Sequence, residues 1–223
     1  MITVHHLENS RSQRILWLLE EIGAPYEVRR YDRDPQTSLA PQALKDVHPL
    51  GKSPVIDDDG RVIAETGAII EYLVGRYAPE RLEPPAGSYE RDDYVYWLHF
   101  AEGSAMPNIL LKLIFDKIKT TPMPFFAKPI AKTIADNVLS SFVEPNLKDQ
   151  LAFIEAHLTK NEWFAGAVFS AADIMMSFPL EGAASRGVVN ARHPKIKAFL
   201  DRIAARPAYA AALERGGPYQ LAA

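Results

Sequence analysis

Apolar and polar positions keep two different rhythms along the chain, and the change falls near residue 80. Ile2 to Leu7 is an apolar-rich run bounded by polar residues and predicts a strand. A polar stretch follows, Glu8-Asn9-Ser10-Arg11-Ser12. Ile15, Leu16, Leu18, Leu19 and Ile22 then recur at helical spacing, with Gly23 where a helix C-cap would sit. Tyr26 to Tyr31 alternates and predicts a second strand, and Ala40 to Val47 a short helix. Pro54 to Asp57 reads as a third strand, Asp59-Gly60 as a turn, and Arg61 to Ala64 as its hairpin partner. Glu65-Thr66-Gly67 opens a helix carrying Ile69, Ile70, Leu73 and Tyr77. A strand–helix–strand start implies a parallel pair with a crossover helix, and the hairpin adds an antiparallel edge.

Pro79, Pro84, Pro85 and Gly87 break the pattern and read as a linker. Beyond it the period is helical. Ser88 to Ile118 carries Tyr94, Trp97, Leu98 and Ala101 on one stripe, and Thr121-Pro122-Met123-Pro124 interrupts it. Lys128 to Leu158 carries Val143, Leu147, Leu151, Ile154 and Leu158 at spacings of four, four, three and four. Ala171 to Arg186 is strongly apolar. Pro194 to Ala205 begins with proline at a first-turn position, where its missing N–H costs nothing. Ala204 to Ala212 is good helix-forming sequence. The expected fold class is α/β plus all-α: an α/β domain over 1–80, a linker over 81–87 and an all-helical domain over 88–223.

Composition narrows the function. With 223 residues, the chain has room for one large domain or two small ones. Apolar residues at 48% and charged residues at 24% suit a globular protein rather than a disordered one. A net charge of −3, from 25 basic and 28 acidic residues, argues against nucleic acid as the main partner. No apolar run approaches the roughly 18 residues that span a bilayer, so no membrane partner is expected. Met1 to His6 lacks the layout of a signal peptide, and cytoplasm is the expected compartment. Cysteine is absent, which removes disulfides, thiolate metal sites, cysteine nucleophiles and CxxC redox chemistry. The six histidines show no metal-ligand spacing, and neither GxxxxGK[ST] nor GxGxxG occurs. No metal is expected.

Four short stretches carry candidate chemistry, each with a plainer alternative. Asn9-Ser10-Arg11-Ser12 lies where the first strand hands over to the first helix, whose free N–H groups attract an anion; alternatively Asn9 or Ser10 caps that helix. In Gly51-Lys52-Ser53-Pro54-Val55, Ser53 offers its backbone to an extended peptide, or Pro54 simply marks an edge strand. Glu65-Thr66 opens a helix whose start can hold a carboxylate while Glu65 meets an ammonium group; alternatively Glu65 is an ordinary cap. Ser170-Ala171-Ala172-Asp173 fits a capping box with Asp in the Glu position, and here the structural reading is preferred.

The order and spacing of these stretches, with the linker and Phe169-Ser170-Ala171-Ala172-Asp173 in a helical second part, resemble the cytosolic glutathione S-transferases over essentially the whole chain. Leu7 to Glu21 looks most like the serine-type bacterial and fungal members. The resemblance implies a thioredoxin-like N-terminal domain, a helical C-terminal domain, a homodimer and glutathione as co-substrate. Carried over residue by residue, Ser10, four positions before Arg14, matches the serine that serves the thiol, with Ser12 as the alternative and Arg11 assisting. Lys52 matches the basic residue for the glycine carboxylate. Ser53 precedes Pro54, matched to the family's cis-proline, and its backbone would pair with the cysteinyl part. Glu65 and Thr66 match the acid–hydroxyl pair for the γ-glutamyl end. A tyrosine activator has no match in the first strand, where His5 and His6 stand, and the cysteine of omega- and beta-type members is missing.

The implied reaction is transfer of the glutathione thiolate to a small hydrophobic electrophile. A thiol of pKa about 8.5 is mostly protonated at neutral pH, so the protein must stabilise the thiolate. Helix phase suggests Trp97, Phe100, Ala101, Ser104 and Met106 as the electrophile pocket, with Phe115 and Met123 as further walls. Reduction of organic hydroperoxides by the same thiolate is one alternative. A noncatalytic ligand-binding or regulatory protein on the same fold is another, disfavoured by the joint presence of Ser10, Lys52, Glu65 and Thr66.

Overall fold

The computed structural model describes residues 1–217, Tyr219 and Leu221. The expected end of the helical part at 223 includes residues 218, 220, 222 and 223, which lie outside the described residues. The first part runs β1 (Ile2–Leu7), α1 (Gln13–Ile22), β2 (Tyr26–Tyr31), α2 (Gln42–Lys45), β3 (Val55–Asp58), β4 (Arg61–Ala64) and α3 (Thr66–Tyr77). The sheet order is β2-β1-β3-β4, with β1 parallel to β2 and antiparallel to β3. β1 and β3 are the inner strands, which is why their residues are mostly buried, while β2 and β4 take the exposed edges. Asp58 pairs with Arg61, leaving Asp59 and Gly60 as a two-residue loop with φ of 51° and 91°. Positive φ at both positions matches the right-handed twist of the hairpin strands.

α1 is apolar on most of its surface because it is enclosed. Ile15, Leu16, Trp17, Leu18 and Leu19 are all buried, and the helix packs on α3 and on two helices of the second part. Gly23 ends it at φ 75°, a left-handed C-cap that glycine adopts without a Cβ penalty. Leu44 of α2 meets Leu7 and Tyr31 in a small cluster of its own.

The second part runs α4 (Tyr89–Phe100), α5 (Met106–Thr120), α6 (Lys128–Val138), α7 (Glu144–Lys160), α8 (Ala171–Ser185), α9 (Pro194–Ala204) and α10 (Pro207–Gly216). α4 joins α5, and α6 joins α7, through five-residue π-turns at Ala101–Ala105 and Leu139–Val143. The wider turn has a local cause. Each π-turn leads into a proline near the start of the next helix, Pro107 and Pro145. Proline has no N–H, and its ring collides with the carbonyl four residues back. Opening one turn to the i→i+5 pattern, as in Met106 N–H to Ala101 O, carries the helix through.

One apolar cluster runs through both parts. It joins Ile2, Val4 and Ile56 of the sheet and Ile69, Leu73 and Val74 of α3 to Trp97 of α4, Leu151 of α7 and Ile174 to Met176 of α8. Burying each such side chain is worth about 1.5–3 kcal/mol. α8 sits at its centre with eleven of fifteen residues buried. Ser170 N–H and hydroxyl both meet Asp173 Oδ2, at 2.8 and 3.1 Å, and Phe164 N–H meets Oδ1 at 2.8 Å. The expected capping box is present.

Candidate functional site

Three backbone turns converge beside the sheet: residues 8–12 between β1 and α1, the loop before β3, and the start of α3. A pocket there is lined by Arg11, His48, Leu50, Lys52, Ser53, Pro54, Ala64, Glu65, Thr66 and Glu102. Six of the residues singled out in the sequence, Arg11, Lys52, Ser53, Pro54, Glu65 and Thr66, thus meet in one place. A larger cleft between α7 and α9, lined by Lys160, Lys195, Arg202 and neighbours, brings together none of them.

The α1 end is built unlike an ordinary helix start. The residue at the cap position is Ser12, already in helical geometry and with no side-chain cap. The expectation of an Asn9 or Ser10 cap is corrected, because α1 begins at Gln13 with Ser12 at the cap position, and the Ser10 hydroxyl is engaged with Ser12 and Ser53. Ser12 Oγ lies 2.8 Å from His6 Nδ1 and 2.7 Å from Ser10 Oγ. Ser10 Oγ lies 3.4 Å from Ser53 Oγ and accepts the Ser12 N–H at 3.3 Å. Ser53 holds its loop to β1 by accepting from Leu7 N–H at 3.2 Å and donating to His5 O at 2.9 Å. The Ser53–Pro54 peptide bond is cis. Ser12 is fully enclosed and Ser10 retains 6% exposure; neither lines the pocket, and Ser10 borders it through Ser53, which does.

The α3 end is strained where it meets the pocket. Glu65 has φ 72° and makes no side-chain cap, so the plain-cap reading is corrected here as well. For a residue with a Cβ, such a conformation costs on the order of 1–3 kcal/mol. Thr66 is buried, and Arg14 Nη2 donates to its hydroxyl at 3.3 Å. Arg14 also donates to Glu102 Oε1 at 2.5 Å and to Met175 O at 2.8 Å. Burial lowers its pKa and Glu102 opposes that shift. Glu102 Oε2 lies 3.3 Å from Arg11 Nε, so one carboxylate faces two guanidinium groups.

The expected electrophile wall is not in this pocket. Trp97 and Ala101 are 1% and 0% exposed, and Met106 is buried too. The Trp97 ring packs on Phe153, His157 and Phe164, with centroids 4.7–5.5 Å away. Phe100 joins that aromatic group, and Ser104 O accepts from Gln150 Nε2 of α7 at 3.0 Å. The stripe read as a pocket wall is the face that α4 buries against the rest of the helical part. From this segment the pocket receives Glu102 instead, on the π-turn. Sequence reasoning missed Glu102, His48, Leu50 and the part played by His6. Pro107 was the readable signal of a shifted helix phase around Glu102.

Burial, then Arg30, lowers the pKa of His6 to about 4, against the opposing effect of a hydrogen bond to the Gly216 carbonyl. Among the described residues no group of three His, Asp or Glu side chains could hold a metal ion. Among them, too, no helix is long and apolar enough to cross a membrane.

Comparison with known proteins gives concordant matches. The family model for "Glutathione S-transferase, N-terminal domain" matches residues 1–75, and that for "Glutathione S-transferase, C-terminal domain" matches residues 133–207. Glutathione S-transferase 3 of Schizosaccharomyces pombe is 37% identical over 215 residues, covering 96% of this chain and 88% of the relative. A solved glutathione S-transferase from Actinobacillus pleuropneumoniae superposes with a TM-score of 0.81 at 35% identity, over 99% of this chain and 95% of the other. A sphingomonad glutathione S-transferase complexed with glutathione does so with 0.73 at 26% identity, over 96% and 98%.

Proposed function

The chain belongs to the glutathione S-transferase family, and on that premise we propose that it transfers the glutathione thiolate to small hydrophobic electrophiles, as a serine-type member. The observation that carries this reading is the convergence of Arg11, Lys52, Ser53, Pro54, Glu65 and Thr66 on one pocket, with Ser10 alongside. Glutathione is an extended tripeptide with three charged ends and one thiol. The unpaired N–H groups at the start of α3 and the Thr66 hydroxyl suit its γ-glutamyl carboxylate, and Glu65 its ammonium group. Lys52 suits the glycine carboxylate at the far end. The backbone of Ser53 suits the cysteinyl amide, which sets the sulfur beside Ser10.

Chemistry then needs the thiol proton removed to solvent. The sulfur lone pair forms the C–S bond, and the electrophile's leaving group departs. Bringing a thiol of pKa about 8.5 down by about two units takes roughly 2.7 kcal/mol of preferential thiolate stabilisation. A Ser10 hydroxyl, the Arg11 charge and the start of α1 are suited to supply it. The homodimer follows from the family premise, with cytoplasm as its compartment; a monomer by light scattering at micromolar concentration contradicts the dimer.

The test is the absorbance of bound glutathione thiolate against pH. Ser10→Ala is expected to raise the thiol pKa by about one unit, the equivalent of about 1.4 kcal/mol, with affinity largely kept. An unmoved curve removes Ser10 from the role, and failure of the wild type to bind immobilised glutathione removes the site.

A further inference from the structure

Ser10 stands at the end of a buried chain of hydrogen bonds that runs through Ser12 to His6. His6 is 2% exposed on β1, and its ring faces Ser12 of the α1 turn, the Gly216 carbonyl of α10 and the Arg30 charge of β2. At neutral pH the ring is uncharged and carries one proton. With the hydrogen on Nε2, on the side of the Gly216 carbonyl, Nδ1 is left as a bare acceptor. Ser12 must then donate to Nδ1 across 2.8 Å, and Ser10 must donate to Ser12 across 2.7 Å. Each proton in the chain then points inward, and Ser10 gives its proton to Ser12 at 2.7 Å rather than to Ser53 Oγ at 3.4 Å, whose own proton goes to His5 O.

We propose that His6 is a positioning residue for Ser10, acting through Ser12: as terminal acceptor it draws the Ser10 proton inward and sets how readily Ser10 donates to a bound thiolate. The proposal rests on the reading that Ser10 faces the thiol. To serve a thiolate, Ser10 must rotate its proton outward and leave Ser12 without a donor. The loss of that one neutral hydrogen bond opposes thiolate formation. No proton is transferred to His6, whose buried ring is too weak a base to hold one at neutral pH.

Removing the acceptor should reverse the chain. In His6→Phe the Ser12 hydroxyl turns to its nearest oxygen, Ser10 Oγ, in preference to Leu7 O at 3.5 Å. Ser10 is then free to donate outward. The expected result is a bound-thiol pKa about half a unit to one unit lower than in the wild type, the worth of one neutral hydrogen bond. Ser12→Ala cuts the chain at its middle and should shift the curve the same way, which keeps the test open if His6→Phe does not fold. In a Ser10→Ala background, His6→Phe should add nothing. His6→Asn, which restores an acceptor oxygen, should return the curve toward wild type. Ring nitrogen resonances of the ligand-free protein should show the Nε2–H form. The Nδ1–H form, an unmoved or raised pKa in both His6→Phe and Ser12→Ala, or an equal His6 effect with and without Ser10 overturns the proposal. If Ser10→Ala itself leaves the curve unmoved, the assignment of Ser10 fails instead, so the two failures are distinct.

Discussion

The buried start of α8 and the buried start of α1 face the same physical problem and solve it oppositely. Both have free N–H groups inside the protein, where an unpaired group costs about 1–3 kcal/mol. At α8 a capping box joins Ser170 and Asp173, Asp173 also takes the Phe164 N–H, and the Ala171 N–H meets the Leu82 carbonyl at 2.8 Å. At α1 the serine hydroxyls turn to each other, to His6 and to Ser53, and the N–H groups are met by the turn itself: Ser12 by Ser10 Oγ, Gln13 by Ser10 O and Arg14 by Arg11 O. α3 resembles α1, since Glu65 is strained and makes no cap. A helix start that satisfies itself is architecture. A start with no side-chain cap, as at α3, leaves its first-turn N–H groups for something else, and that start lines the pocket with Glu65 and Thr66.

The sharpest way to break this contrast is Asp173→Ala. Two buried N–H groups lose their acceptor, so stability should fall by about 2–5 kcal/mol, read by denaturant unfolding, with glutathione affinity unchanged. A loss under about 1 kcal/mol would show that α8 does not depend on its box. The two starts should also respond to pH with opposite signs. Burial raises the Asp173 carboxyl to about 7, so the native state binds the proton more tightly than the unfolded chain, and stability should fall as pH rises from about 4 through 7. His6 is lowered to about 4, so stability should fall as pH drops from about 6.5 toward 4, by at most about 3 kcal/mol. Asp173→Asn and His6→Asn should each flatten one arm only; if either flattens both, the groups are not independent. Smallest is the effect at α3. Glu65→Ala and Thr66→Ala should each weaken glutathione binding by about 1–3 kcal/mol in calorimetry; melting should change little in Glu65→Ala and fall in Thr66→Ala, which also takes an acceptor from buried Arg14. Unchanged affinity in both would place the γ-glutamyl end elsewhere.

Local signals in the sequence served for local structure. The alternation at Tyr26 to Tyr31, the Asp59-Gly60 turn, Gly23 and the Ser170–Asp173 box each act within a few residues, and each is found where its pattern predicts. The site was legible only as an ordered set, because Ser10, Lys52 and Glu65 lie far apart in the chain and no short-range rule joins them. Trp97 misled because an apolar stripe looks the same whether it faces a ligand or the core. Glu102 and His6 were invisible for a related reason: a carboxylate facing Arg14 from 88 positions away, and a ring facing Ser12 across a β–α turn, leave no periodic trace. The uncapped starts of α1 and α3 could not be foreseen either, since serine and glutamate there are what a capped helix would also show.

The apolar cluster shared by the sheet, α3, α4 and α8 bears on how such a molecule can be rebuilt. The chain reads as two halves, yet neither half owns its interior. Arg14 adds a polar bolt across the same seam, held by Thr66 on one side and by Glu102 and Met175 on the other. A hybrid that joins residues 1–80 to the helical half of a distant relative would bring together two faces that never evolved as mates, and would strand a buried cation at the join. Shuffling among such proteins therefore has to move the α3, α4 and α8 faces together with Arg14 and Glu102, as one inherited block rather than two.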